Sequence, residues 1–212
     1  MKFEKLEITG SRGELLKNTL FSVEGGGRGL AVLFPGAGYT CDMPALYYSR
    51  SILLSQKYDV LALEYSFQTM GDFFTPELVP EVLLDGEKTL EKVELEKYSE
   101  LILVGKSLGT RVLTHLMHRY EELSRAKAVY LTPVFSEQFN NTTGSLEQEM
   151  FMTIGTQDPF YRLELIEQLQ SLKDFRLLVL EGADHGLEIP GECLKSIEVM
   201  KAVCEGIINF IK

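Results

Sequence analysis

Leu101-Ile-Leu-Val-Gly-Lys-Ser-Leu-Gly109 holds the key to the architecture of this 212-residue chain. Four consecutive apolar residues, with no polar residue alternating between them, suit a strand buried on both faces. The G-x-S-x-G sequence that follows stands where such a strand gives way to a helix. A sharp strand-to-helix turn forces its serine into a strained backbone conformation and projects the hydroxyl, while the flanking glycines let neighbouring elements come close. The same letters also spell a glycine-rich turn with a helix-capping serine, and it is the buried strand ahead of them that favours a nucleophile at Ser107.

Outward from this stretch the pattern repeats. Short apolar runs predict strands over 30–34, 60–65, 128–132, 150–154 and 175–180 besides 101–105, separated by segments with helical spacing. Two further strands, over 2–9 and 18–24, are expected to form an antiparallel edge joined through Gly10-Ser11-Arg12-Gly13. Gly25-Gly26-Gly27-Arg28-Gly29 opens onto a strand and not a helix, so it reads as a hairpin turn and not as a phosphate-binding loop. Helices are expected over 43–55, capped by Asp42, and over 76–95, with Thr75 as cap and Pro76 in the first turn. In the latter, Val79, Val82, Leu83, Leu90 and Val93 share one face. A last helix over 192–211 carries Cys193, Ile197, Met200, Cys204, Ile207 and Ile211 as a stripe that closes the core. The whole is an α/β chain of one domain, 1–212, with a mostly parallel central sheet, helices on both faces, and ligand chemistry in the loops that leave the strands' carboxyl ends. The irregular stretches over 66–75 and 133–149 are expected to shape a pocket.

A serine hydroxyl needs a base at neutral pH, and histidine is the side chain best tuned to serve. His185, in Glu181-Gly-Ala-Asp-His-Gly186, follows the last apolar run directly. His115 and His118 lie on the helix after Ser107, pointing away from the strand exits; their spacing of three is that of a metal pair, but no further ligands accompany them. The imidazole in turn needs a carboxylate to fix its tautomer. Asp158, in Gly155-Thr-Gln-Asp-Pro159, stands just past a strand and is the candidate, its alternative role being that of a helix cap before Pro159. Asp184 is too near His185 in sequence to face it, and Asp72 is a reserve. Phe34-Pro-Gly-Ala-Gly-Tyr39 supplies a loop whose Ala37 or Gly38 N–H can join that of Leu108 as an oxyanion hole.

These four segments, in this order and at strand ends, resemble the α/β-hydrolase superfamily, in particular its small, cap-less bacterial members of dienelactone-hydrolase-like type. The likeness runs over nearly the whole chain. It implies the chain order nucleophile, acid, base for Ser107, Asp158 and His185, and acyl-enzyme hydrolysis of a small-molecule ester or thioester with neither metal nor organic cofactor. Three positions depart from the pattern. Dienelactone hydrolases carry a cysteine where Ser107 stands, Pro35-Gly36 replaces a frequent His-Gly, and Thr110 replaces a second glycine after the serine turn, which points to altered helix-to-strand packing. A hydrolase-fold binding protein without turnover is the alternative reading.

Composition excludes other classes. A formal charge of -10 argues against nucleic acid as a partner, because phosphate binding requires clustered Lys and Arg. No apolar run approaches the roughly 20 residues of a membrane span, and the charged start lacks a secretory core. Cys41, Cys193 and Cys204 form no CxxC pair, which fits reduced thiols and a cytoplasmic location. Met70, Phe73, Phe74, Phe135, Phe160 and Tyr161 are candidates to line an acyl pocket. Lys106 is read either as favouring an anionic substrate group or as solvent-exposed.

Overall fold

The apolar runs and the two amino-terminal segments become eight strands: β1 (Lys2–Lys5), β2 (Thr19–Ser22), β3 (Gly29–Phe34), β4 (Tyr58–Ala62), β5 (Leu101–Lys106), β6 (Lys127–Leu131), β7 (Met150–Gly155) and β8 (Phe175–Leu180). In this computed structural model, which describes residues 2–135, 148–170 and 174–212, they form one sheet in the order β1-β2-β4-β3-β5-β6-β7-β8. All pairings from β4 through β8 are parallel, and only the β1–β2 and β2–β4 pairings are antiparallel. Among the described residues the helices are α1 (Pro44–Ser55), α2 (Ser66–Met70), α3 (Val79–Leu90), α4 (Leu108–Arg119), α5 (Leu163–Gln170) and α6 (Cys193–Ile211). Among the described residues, no helix is long and apolar enough to cross a membrane.

The unbroken apolar runs follow from burial on both faces of the sheet. Leu30, Val32 and Leu103 point to one side and pack with Val82 of α3 and Val112 of α4. Their neighbours Ala31, Leu33 and Ile102 point to the other and pack with Leu46 of α1 and Val203 of α6. Close approach of α4 to the sheet depends on Gly109, where an added Cβ would lie 2.0 Å from the carbonyl oxygen of Phe34. That neighbour is main chain and cannot swing aside. Gly109→Ala is therefore expected to destabilise the fold by roughly 3 kcal/mol or more, read as a lower urea midpoint; a wild-type midpoint would contradict this packing.

Several local expectations are revised. Gly25 to Gly29 form no hairpin, because β4 inserts between β2 and β3 and the glycines instead carry the chain across the sheet's end. Gly25 and Gly26 adopt φ of 87° and 90°, and a Cβ at Gly29 would lie 2.5 Å from the carbonyl oxygen of Glu100. Asp42 does not cap α1: Met43 occupies that position without a side-chain cap, and Asp42 pairs with Arg50 at 3.0 Å. The helix expected over 76–95 divides into a 3-10 turn at Pro76–Leu78, α3, and a second 3-10 turn at Leu95–Lys97. Thr75 precedes the first of these without a side-chain cap, and the anticipated apolar face survives the division. Part of the irregular stretch over 66–75 winds into α2. The apolar stripe of α6 is shifted: Val199, Val203, Ile207, Phe210 and Ile211 are buried, whereas Ile197 is 60% exposed. Cys193, Ile197, Met200 and Cys204 line a groove of about 500 Å³ against Tyr48 and Leu187.

Candidate active site

At the end of β5, Ser107 takes φ 51° and ψ −114° before α4 begins at Leu108. For a residue with a Cβ this is a strained conformation, costing on the order of 1–3 kcal/mol. Three hydrogen bonds hold it, one of them from the Thr110 N–H to the carbonyl of Ser107 at 2.9 Å. The Ser107 N–H donates to the carbonyl of Leu131 at 3.0 Å, and Thr110 Oγ1 donates to the carbonyl of Ser107 at 2.6 Å. Thr110 also accepts the Val134 N–H at 3.2 Å, so the residue that replaces glycine is a buried clasp between the serine turn and the segment leaving β6.

The loops leaving β7 and β8 are zipped to each other. The Thr156 N–H donates to Leu180, the Gln157 N–H to Ala183, and the Gly182 N–H to Thr156 Oγ1, all at 2.9–3.0 Å. Gly155 permits this contact, since a Cβ there would lie 2.0 Å from the carbonyl oxygen of Ala183. Beyond His185 the chain is anchored by Leu187, fully buried at a left-handed φ of 65°.

This scaffold places His185 Nδ1 2.8 Å from Asp158 Oδ2 and His185 Nε2 2.8 Å from Ser107 Oγ. The Asp158 side chain is wholly shielded from water, whereas that of His185 is 31% exposed. The second Asp158 oxygen accepts the Phe160 N–H at 2.8 Å, so turn-capping and contact with the imidazole coexist in one carboxylate. The Phe160 ring packs 5.3 Å from the imidazole, centre to centre. A proton on Nδ1 satisfies the carboxylate and leaves the Nε2 lone pair facing the serine hydroxyl.

The loop after β3 lies beside the serine turn. It is closed by the Gly36 N–H donating to Tyr39 at 2.8 Å, and braced by Gln68 of α2, whose Nε2 donates to the carbonyl of Gly36 at 2.9 Å. Within it Ala37 is half-buried and Gly38 exposed. Leu108 opens α4, where an N–H has no acceptor inside the helix.

Other candidates lie elsewhere. His115 Nε2 sits 2.6 Å from Glu87, which also receives Arg119. His118 is exposed on the same helix. Asp184 accepts the N–H groups of Gly186 and Glu188, and Asp72 pairs with Arg12 at 2.6 Å. Among the described residues, no three His, Cys, Asp or Glu side chains gather as metal ligands. Of the anticipated pocket aromatics, Phe160 abuts the imidazole, Phe74 packs on Phe67, Phe135 packs against the core, and Phe73 is 93% exposed. Residues 136–147 of the second irregular stretch fall outside the described residues.

Neither expectation for Lys106 holds. Its side chain turns inward and is 1% exposed. Nζ donates to Thr132 Oγ1 at 2.5 Å and to the carbonyl of His185 at 2.8 Å, and lies 4.9 Å from the centre of the Tyr39 ring. Burial lowers its pKa from 10.5 to about 8, against the opposing pull of Asp158 and Asp184. Thr132 and Gln68 are supporting residues that the sequence does not single out, and the supporting roles of Lys106 and Thr110 differ from or add to what their positions suggest.

A family model described as an alpha/beta hydrolase domain matches residues 28–212. The chain belongs to the α/β-hydrolase family. No curated protein matches this α/β hydrolase. Among solved structures, an alpha-beta serine hydrolase homologue from Coxiella burnetii superposes with a TM-score of 0.70 at 16% identity, over 97% of each chain. An a/b serine hydrolase without lid from Xanthomonas campestris reaches 0.70 at 15% identity, over 99% of this chain and 95% of that one. An esterase from Pyrococcus furiosus reaches 0.70 at 17%, over 100% and 93%. At these identities the likeness is one of fold.

Proposed function

We propose that this chain is a serine hydrolase that cleaves a carboxylic ester or thioester of a small molecule through an acyl-enzyme. Ser107 is the nucleophile, His185 the general base and Asp158 the carboxylate that orients it. The observation that carries this reading is the unbroken line from Ser107 Oγ through both ring nitrogens to a shielded carboxylate, at 2.8 Å on either side. As Ser107 Oγ attacks the carbonyl carbon, its proton passes to His185 Nε2, and Asp158 balances the imidazolium that results. The tetrahedral oxyanion is met by the N–H of Leu108 and by that of Ala37 or Gly38, one such donor contributing about 3–4 kcal/mol. His185 then protonates the departing alcohol or thiol. Water, deprotonated by the same imidazole, releases the acid and restores the serine.

The test is direct. Wild-type protein is expected to react with a fluorophosphonate probe and to hydrolyse p-nitrophenyl acetate, with a panel of acyl esters and thioesters ranking its preference. Absence of both labelling and turnover, with a ligand still raising thermal stability, would favour a binding protein on this fold.

A further inference from the structure

Lys106 is an unexpected residue at a fully enclosed position. Removing an ammonium from water is costly unless it is paired, and a methionine would fill the same volume without that cost. Among the described residues the ammonium meets only neutral acceptors at hydrogen-bond distance, Thr132 Oγ1 and the main-chain carbonyl of His185, with the face of Tyr39 beside it. Those partners come from three separate segments: the exit of β6, the loop after β8, and the loop after β3. The lysine itself is joined covalently to Ser107. One side chain therefore links four of the segments that converge on the serine.

We propose that Lys106 is a positioning residue whose buried ammonium pins the main chain of His185 to the strand end that carries Ser107, holding the imidazole at hydrogen-bonding distance from the hydroxyl. This rests on the reading of Ser107 and His185 as nucleophile and base. The charge matters because hydrogen bonds from an ionised donor are roughly twice as strong as those from a neutral one. The charged and titratable groups that face the ammonium are Asp158 from the β7 exit, Asp184 and His185 from the β8 exit, and Tyr39 from the β3 exit. When the lysine loses its proton, near pH 8, the tether weakens without vanishing, because an amine still donates.

Lys106→Met, Lys106→Gln and Thr132→Val are compared with wild type in p-nitrophenyl acetate hydrolysis between pH 6 and 9.5. Lys106→Met is expected to lower kcat by about 10- to 100-fold with KM little changed, the scale of effect of a displaced catalytic group. Wild-type kcat should step to a lower plateau above pH about 8, and that step should be missing from Lys106→Met. Lys106→Gln, which keeps an N–H donor but no charge, should recover part of kcat and likewise lack the step. Lys106→Met with wild-type kcat, or with the alkaline step intact, would overturn the proposal. Should that variant not fold, Thr132→Val keeps the lysine but removes one acceptor of its charged form; its alkaline step should move to lower pH, and an unmoved step overturns the proposal equally.

A reading without substrate comes from stability. The folded-state pKa lies below the ordinary value, so the cost of the buried charge is fully present below about pH 8 and is relieved as pH rises towards 10.5. The melting temperature of wild type relative to Lys106→Met should therefore climb between pH 7.5 and 10. A constant difference would contradict the buried charge. Failure of the serine-hydrolase reading itself would appear elsewhere, as a wild type that no fluorophosphonate labels.

Discussion

Ser107→Ala is expected to retain the fold while losing fluorophosphonate labelling entirely and about 10⁴- to 10⁶-fold in kcat. The hydroxyl makes one side-chain contact, with His185 Nε2, and the turn around it is held by main-chain bonds to Leu131 and by Thr110, which alanine leaves in place. Melting should thus stay close to wild type. What survives is the oxyanion donors and substrate binding, which still accelerate attack by water. Initial rates and probe labelling on the same preparation check both halves. A folded variant that keeps more than about 1% of wild-type turnover would remove Ser107 from the reaction.

Asp158→Asn is expected to cost about 10⁴-fold in kcat, again with little loss of fold, and for a reason of proton placement. The carboxylate can only accept from Nδ1, which obliges Nε2 to present its lone pair to Ser107. A carboxamide can present its NH2 to Nδ1 instead. The imidazole then carries its proton on Nε2, aimed at the very hydroxyl it is proposed to deprotonate. The shielded site also loses the negative charge that offsets the imidazolium. Because Ser107 and Asp158 are proposed to act through one ring, Ser107→Ala/Asp158→Asn should be no slower than Ser107→Ala alone. Additive losses in the double variant would show that Asp158 works by some other route.

Much of this arrangement is legible in the residues. The strand ahead of Ser107, the glycines around it, and the positions of Asp158 and His185 past later strands all depend on local pattern, which survives folding because parallel strands are short, apolar and punctuated by turns. Other features depend on what the chain meets only once folded. Five glycine-rich residues at 25–29 announce a turn, but not whether the following strand pairs with the preceding one, and β4 takes that place. The apolar residues of α6 are numerous enough to draw two overlapping stripes, and packing against Phe151 and Leu33 selects the one through Val203 and Ile207. The inward course of Lys106 is a matter of side-chain direction in a strained turn, for which neighbouring letters hold no signal.

The ribbon formed by β1 and β2 is far from the chemistry, on the opposite border of the sheet from β7 and β8. Its antiparallel pairing shields the flank of β4, and its own outer strand, Lys2-Phe3-Glu4-Lys5, is exposed and rich in charge. Stripping it away would spare every atom around the serine yet uncover a naked row of peptide groups on an apolar strand, inviting molecules to zip together flank to flank. The amino-terminal ribbon is thus the cover of the β4 edge of the sheet.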